Sequence, residues 1–450
     1  MMKRFPILSF AAALFLAVAL RPAMAEVTVE EVVSPGGITA WFVRDDTVPV
    51  LSLEFTFRGA GSTNDPPGLD GVAALTAYTL DEGAGPYDSQ AFQQRLNDMS
   101  ISLSFDAGLD GFSGSFYALN RYRDDAVDLL RLALHEPRFD QEPVDRIRAQ
   151  MLSGLRQDAT DPQAMAGRAL MEVLFDGHPY ARPSDGRIET LPNVTPDDLD
   201  RFRRQVLTRD RLFIGAVGDI EPAELGLILD RVFGDLPAEG TVADVPDIQT
   251  PAVPGTLVID QDVPQTTILF SQPWIGIDDP RFYAGMIMNY VLGGGSFRSI
   301  LTQEIRVQRG LVYSVYSFQH PMEHAALLRG GAGTQNARAG ETVALVREVI
   351  ARLRDEGLDS TDIADAKTYL TGSYALRFTN SSSIASQLAS MQYLDFPIDY
   401  FQTRNERIEQ VTEAEVNALA AEMLAPDQLT FVLVGRPDGV TPTIDYAPTQ

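Results

Sequence analysis

Residues 194–218 read VTPDDLDRFRRQVLTRDRLFIGAVG, and residues 411–435 read VTEAEVNALAAEMLAPDQLTFVLVG, with the same Val-Thr start and Val-Gly end. Each copy predicts a helix that begins at an N-capping threonine, Thr195 or Thr412, followed by a buried apolar strand. The two copies lie 217 residues apart (411 − 194), which is near the size of a large domain. The repeat therefore predicts two homologous halves.

A proline-rich segment, Pro237 to Gly255, separates the halves. It contains four prolines and no apolar periodicity, as is typical of a linker. We predict domains over residues 26–236 and 256–450. Alternating apolar residues, as in 51–57, predict antiparallel strands, and helical spacing recurs in other segments. The predicted fold class is α+β, with two homologous domains, each an antiparallel sheet with helices packed on one face.

The first 25 residues predict a secretory signal peptide. Lys3 and Arg4 form a basic n-region, an apolar stretch follows at residues 6–20, and Ala23-Met24-Ala25 provides a cleavage site after Ala25. We therefore expect a periplasmic protein that has no membrane attachment once the signal is removed.

The charge balance narrows the choice of partners. The chain has 36 basic and 62 acidic residues, for a formal net charge of −26. Loss of Lys3, Arg4 and Arg21 with the signal peptide would leave a charge of −29 (36 − 3 − 62). Such a surface repels nucleic acid and anionic lipid, and we expect neither as a partner. Because the chain has no cysteine, disulfides, thiolate metal sites and cysteine nucleophiles are excluded.

The segment His320-Pro321-Met322-Glu323-His324 matches the H-x-x-E-H pattern of inverted zinc peptidases. That chemistry requires a helix, on which both histidines share one face beside the glutamate. The flanking residues predict two strands joined by a hairpin. We therefore expect no metal site there, although an autonomous metallohydrolase that uses His320, Glu323 and His324 remains an alternative.

A glycine-rich turn, Gly293-Gly294-Gly295-Ser296-Phe297, follows a predicted apolar helix. It lacks the Lys-Ser/Thr pair of a phosphate-binding P-loop. From the residues alone, the turn is explained by a connection between helices that needs positive φ.

The turn and the following segment, LTQEIRVQRGLVYSVY at residues 301–316, together resemble the C-terminal-domain signature of the insulinase/pitrilysin peptidases. The likeness is strongest to their bacterial branch, which is similar to mitochondrial processing peptidases. The family pattern is Gly-Gly-x-x-x-Ser-Arg-Leu, then Leu/Ile-Arg, then Gly-Leu-x-Tyr-x-Val; Ile300 departs from it, since the family usually has Arg there. The resemblance also includes FDGHPY at residues 175–180 and covers nearly the whole mature chain. It implies the insulinase-family, LuxS-like metalloenzyme fold.

The resemblance also implies that this chain has lost the family's zinc site. Family members hold zinc through H-x-x-E-H on an N-terminal helix, whose histidines and glutamate correspond here to Gly71, Leu75 and Ala74. The distal glutamate corresponds to residues 151–154, which contain no acid. None of these side chains can bind zinc or transfer a proton. We therefore predict that this chain holds no zinc and no other cofactor.

What the resemblance preserves is a substrate-contacting pair. The family's arginine and tyrosine, which reach across the cleft to the bound peptide, correspond to Arg306 and Tyr313. An arginine there can hold a substrate carbonyl, and a tyrosine can donate to a developing oxyanion. The alternative from spacing alone is a surface ion pair and a packed sheet residue.

These features predict a non-catalytic subunit of a two-chain zinc metallopeptidase that acts on peptides. Its partner would be a homologous chain that carries H-x-x-E-H and the zinc. A peptide-binding or scaffold protein with no enzymatic partner is the alternative from another functional class. The absence of a Gly-x-Ser-x-Gly motif argues against a serine hydrolase.

Overall fold

A computed structural model describes residues 28–249 and 252–447. The predicted signal peptide, residues 1–25, lies outside the described residues. The first half has strands and helices in a mixed order. Its elements are β1 (Glu30–Val33), β2 (Thr39–Arg44), β3 (Val50–Arg58), α1 (Val72–Thr79), α2 (Ser89–Asp98), β4 (Ser102–Ala107), β5 (Gly111–Leu119), α3 (Arg123–His135), α4 (Gln141–Asp158), α5 (Pro162–Leu174), α6 (Pro196–Val206), β6 (Leu212–Gly218) and α7 (Pro222–Phe233).

The second half is organised in a similar way. Its elements are β7 (Gly255–Asp260), β8 (Gln265–Pro273), α8 (Phe282–Asn289), a first π-helix (Tyr290–Gly294), a second π-helix (Thr302–Gln308), β9 (Val312–Pro321), β10 (Ala326–Gln335), α9 (Ala339–Glu356), α10 (Ser360–Gly372), α11 (Ser381–Tyr393), α12 (Tyr400–Gln410), α13 (Glu413–Met423) and β11 (Thr430–Gly435). In the part of the chain that the structure describes, no helix combines the length and apolar character needed to span a bilayer.

The repeated stretch forms the predicted helix and strand in both halves. The hydroxyl of Thr195 accepts a hydrogen bond from the backbone N–H of Asp198, whose carboxylate accepts one from the N–H of Thr195. Thr412 and Glu415 make the same reciprocal pair at the start of α13. These capping boxes satisfy backbone donors that the first turn leaves unpaired.

The strands following these helices occupy matching places in two sheets. The sheet orders are β1-β2-β6-β3-β5-β4 and β7-β11-β8-β10-β9. The repeated strands pair antiparallel with β3 and β8. Each sheet is antiparallel except for one parallel pair, β2 with β6 and β7 with β11. The predicted α+β fold with two related halves is confirmed.

Each half has an apolar core between its sheet and its own helices. In the first half, the alternating residues Leu51, Leu53, Phe55 and Phe57 are all buried. The ring of Phe55 packs edge-on against Phe233 of α7, with ring centroids 5.1 Å apart. Burying aromatic side chains of this size is a major source of folding stability.

The second face of each sheet is covered by one helix from the other half. Helix α11 packs on β6, β3 and β2, and places Ile384 and Leu388 in a cluster with Trp41 and Val217. In return, α5 packs on β11 and β8, with Leu170 in a cluster that includes strand residues of the second sheet. Each half therefore completes the other's sheet.

Candidate functional site

Helix α1 carries the residues that the family resemblance aligns with the zinc ligands. It begins at Gly71, whose φ of 97° is in the left-handed region. The buried carboxylate of Asp65 accepts hydrogen bonds from the N–H groups of Gly71 (2.6 Å) and Ala73 (3.0 Å). Burial raises the pKa of Asp65 to about 7, although these two hydrogen bonds act in the opposite direction. Asp65 therefore anchors the helix start through backbone groups.

The two other mapped positions on α1 are fully enclosed. Ala74 and Leu75 both have 0% exposure, and Leu75 belongs to the core of the first half. A side chain at Gly71 would also be crowded, because a Cβ there would lie 3.0 Å from the carbonyl oxygen of Asp185 and from a methyl group of Leu191. Apolar packing thus takes the place of zinc ligands at this helix.

The position of the distal glutamate is also without a ligand. It falls on α4, where Met151 and Leu152 pack partly buried against the same core. At Gly154 an added Cβ would meet no atom within 4 Å. Because neither α1 nor this stretch of α4 offers a ligand atom, the mapped residues do not fit a zinc ion.

The second half brings the predicted pair, Arg306 and Tyr313, together. Arg306 lies on the second π-helix, and its guanidinium carbon is 5.5 Å from the centroid of the Tyr313 ring and 4.7 Å from that of Phe297. Tyr313 is 83% exposed and Phe297 is 60% exposed. Two exposed rings therefore hold the guanidinium by cation–π contacts.

Arg306 and Phe297 line a groove of about 310 Å³, and Tyr313 contacts Arg306 beside it. One side is formed by the glycine turn and the second π-helix, and the other by the start of β9. Its lining includes Gly293, Gly294, Phe297, Arg306, Ser314 and Tyr316. Strand β9 is at the edge of its sheet. On one side its backbone therefore pairs with no other strand of the described residues. The groove is thus open beside a free strand edge.

The glycine turn has a different physical cause from the one the sequence predicts. The turn does adopt positive φ, but at Ser296 (φ 51°) and at none of its three glycines. A Cβ at Gly293 would lie 2.3 Å from the hydroxyl of Ser317 and 2.5 Å from its backbone nitrogen. The expectation that the glycines supply positive φ was therefore wrong: Gly293 instead permits the turn to approach β9 closely.

An aromatic row continues from the groove along β9. Tyr316 and Phe318 are both partly exposed, and their rings are stacked with centroids 6.2 Å apart. Phe318 also lies 6.0 Å from the ring of His320, and Arg329 of the neighbouring strand contacts this row. Apolar surface that remains exposed in such a row is typical of binding sites.

The H-x-x-E-H segment lies in the β9–β10 hairpin, as the flanking residues predict. His320 lies on β9, where its Nδ1 is 3.3 Å from a guanidinium nitrogen of Arg329. Burial and this charge lower the pKa of His320 to about 4. Glu323 and His324 are in the turn, where Glu323 accepts a hydrogen bond from the Tyr393 hydroxyl. The group of possible metal ligands in the described residues contains Glu323 and His324 but not His320.

The groove has the chemistry needed to hold a peptide. Arg306 makes no ion pair within residues 28–249 and 252–447, so its N–H donors remain available for a carbonyl or carboxylate. The Tyr313 hydroxyl, on an almost fully exposed side chain, can donate a hydrogen bond beyond the protein surface. The sequence analysis did not predict the contact of Phe297 with Arg306. The signal in the sequence was an aromatic residue two positions after the last glycine of the turn.

Two α+β halves, a helix whose aligned zinc positions carry no ligand atoms and an Arg–Tyr pair beside a groove define a peptidase-type scaffold. Residues 193–370 match the family model described as "Peptidase M16 inactive domain". A Helicobacter pylori protein described as "Non-peptidase homolog YmxG" is 29% identical over 396 residues, which cover 88% of this chain and 91% of that protein. A Bacillus subtilis protein described as "Uncharacterized zinc protease YmxG" is 22% identical, with 86% and 93% covered.

A solved structure has the same architecture. The crystal structure of the peptidase M16 inactive domain from Pseudomonas fluorescens is 28% identical and has a TM-score of 0.84, with 94% of this chain and all of that chain covered. The resemblance to the insulinase/pitrilysin peptidases is confirmed. The chain is similar to proteins of the M16 peptidase family, including ones described as an inactive domain and as a non-peptidase homologue.

Proposed function

We propose that this chain is the substrate-cleft-completing subunit of a two-chain, periplasmic zinc metallopeptidase. The observation that carries the proposal is the exposed triad of Phe297, Arg306 and Tyr313 beside a free strand edge. Nothing in the packing of the chain itself needs Tyr313, whose side chain is 83% exposed. A tyrosine and an arginine placed in this way serve a molecule that approaches from outside.

The partner in this proposal is a homologous chain that carries H-x-x-E-H and binds the zinc. Its metal would activate water and polarise the scissile carbonyl. Arg306 would hold a carbonyl oxygen of the bound peptide by charge-assisted hydrogen bonds. Tyr313 would donate to the oxygen on which negative charge develops. The two chains together would then supply what neither supplies alone.

The location and substrate class follow from separate arguments. Export to the periplasm is inferred from the signal-like residues Lys3 to Ala25. A peptide substrate is inferred because an extended chain can lie along a strand edge, where main-chain hydrogen bonds contribute affinity without requiring a particular sequence.

Co-expression with a homologue that carries H-x-x-E-H tests this function. Size-exclusion chromatography should give one complex with both chains, and a stable complex should bury upward of about 1,000 Å². Peptide cleavage should require both chains and should disappear when the partner's glutamate is replaced. The matched control is this chain mixed with a zinc-free partner, which should remain inactive.

Two outcomes would contradict the proposal in different ways. If the chains do not co-elute and activity does not rise at micromolar concentrations, the chain is a peptide-binding or scaffold protein without an enzymatic partner. If this chain alone cleaves peptides and His320→Ala abolishes the cleavage, the autonomous hydrolase is correct.

A further inference from the structure

A second cluster of polar side chains lies where the two halves meet, away from the groove. Asp110 comes from the β4–β5 connection of the first half, and Glu323 and His324 come from the β9–β10 hairpin of the second. One potential ligand atom from each residue lies within 4.8 Å of the other two. All three residues line a cavity of about 840 Å³. Two carboxylates and an imidazole thus converge from distant parts of the sequence.

Each member of the cluster is held by a hydrogen bond that leaves another ligand atom unused. The Tyr180 hydroxyl donates to Oδ2 of Asp110 (2.9 Å), and the Tyr393 hydroxyl donates to Oε2 of Glu323 (2.8 Å). Nδ1 of His324 lies 2.9 Å from Oδ1 of Asp247. A carboxylate that bonds one ring nitrogen orients the other nitrogen toward a metal.

The cluster also contains a buried ligand atom that has no partner. Oδ1 of Asp110 is buried and has no hydrogen-bond partner in the structure. A buried carboxylate oxygen needs a hydrogen-bond donor or a cation as its partner. Neither Asp110 nor Glu323 forms an ion pair with Lys or Arg within the described ranges 28–249 and 252–447. A cation bound in the cavity would satisfy this oxygen and would also offset the negative charge of the two carboxylates.

We propose that Asp110, Glu323 and His324 bind a divalent metal ion of the zinc class. One nitrogen and two carboxylate oxygens are a common ligand set for zinc, and water from the cavity would complete its coordination. The imidazole favours zinc over calcium or magnesium, which prefer oxygen ligands throughout. This site differs from the sequence-based expectation that the chain binds no metal, and it is independent of the proposed peptidase partner.

The metal would join the two halves. Its ligands come from one loop of the first half and one hairpin of the second, and the two are already in contact, since the N–H of Glu323 donates to Oδ2 of Asp110 (3.4 Å). A metal that binds only the assembled halves stabilises the folded chain by mass action. The ion would act as a clasp between the halves, with no part in cleavage.

Isothermal titration calorimetry of the tag-free chain with zinc chloride tests the site. We expect one zinc per chain, and a rise in Tm of about 5 °C at zinc concentrations near 100 times Kd. His324→Ala and Glu323→Gln should each weaken binding by at least about 10-fold, as should Tyr393→Phe, which changes only a supporting hydrogen bond. Glu323→Gln retains an acceptor for Tyr393 and involves an exposed residue, so that this variant tests the site without disturbing the fold.

The control is His320→Ala, which changes the sequence motif but lies outside the cluster, and it should bind zinc as the natural chain does. Calcium chloride should produce no comparable heat or Tm rise. The proposal is overturned if the chain shows no saturable zinc binding below about 100 µM, a concentration at which even weak specific sites fill. It is also overturned if His320→Ala removes the binding while Glu323→Gln preserves it.

Discussion

Helix α1 and the groove of the second half have opposite relations to solvent. In the first half, Leu75, which the resemblance aligns with a zinc ligand, has 0% exposure and is part of an apolar core. In the second half, Tyr313 keeps an aromatic ring 83% exposed beside Arg306. The first arrangement is explained by folding stability, whereas the second contributes little to it. The comparison teaches that the residues of α1 serve the packing of the first half, while the second half presents a surface suited to a ligand.

The largest effect should come from Leu75→Ala. Removing a fully buried leucine side chain loses transfer free energy and leaves a cavity, so the free energy of unfolding should fall by about 2–5 kcal/mol. Urea denaturation followed by circular dichroism measures the change. Tyr313→Ala is the matched variant and should stay within about 0.5 kcal/mol of the natural chain. Equal losses from the two variants would remove the distinction between the two regions.

Tyr313→Phe should have the next largest effect, and only on catalysis in the complex with the zinc-bearing partner. The ring is kept and one hydroxyl donor is lost. If that donor acts mainly in the transition state, kcat should fall by roughly 10- to 1,000-fold with little change in KM. Steady-state kinetics of the reconstituted complex measures both constants. Arg309→Ala, an exposed arginine beside the groove helix, is the control and should be nearly silent.

A smaller effect is expected from Arg306→Ala in the same complex. A guanidinium that holds a carbonyl acts on bound substrate as well as on the transition state, so KM should rise by roughly 10- to 100-fold, the range of a hydrogen bond to a charged group. Co-elution with the partner and the partner's zinc content should not change. Loss of the complex itself would mean that Arg306 is an interface residue.

The last effect concerns the pH dependence of stability and involves Asp65 at the start of α1. Its pKa is raised from 3.8 to about 7 by burial, so the folded chain binds this proton more tightly than the unfolded chain. The stability that this group contributes is present below about pH 4 and is lost as pH rises through 7. Asp65→Asn should therefore flatten the dependence of unfolding free energy on pH between 4 and 7. Urea titrations at several pH values measure the slope, and an unchanged slope would contradict the assignment.

Much of the fold could be predicted from local signals. The repeat predicts the positions of β6 and β11, and the capping threonines predict the starts of α6 and α13. These predictions succeed because each signal lies within a few neighbouring residues. The hairpin that contains His320 and His324 was predicted for the same reason. The pairing of Arg306 with Tyr313 was available from the family signature, and the structure brings the two side chains together.

Other features depend on contacts between distant residues and could not be predicted. The close approach of Gly293 to Ser317 exists only once the turn packs on β9. The spacing of apolar residues in the two π-helices does not distinguish them from α-helices in the sequence. Asp110 and His324 are more than 200 residues apart in sequence (324 − 110), so nothing local indicates that they meet.

The exchange of α5 and α11 between the halves makes the single chain resemble a symmetric dimer whose protomers each lend a helix. An ancestor of half this length would have needed a second copy to cover the face around Val217, and duplication would have raised the effective concentration of that copy by tethering it. The linker would then speed the association of the two halves more than it would strengthen their contact. Two polypeptides divided within the linker, 26–249 and 252–450, should associate when co-expressed and elute as one species, and failure to associate would show that the tether is essential.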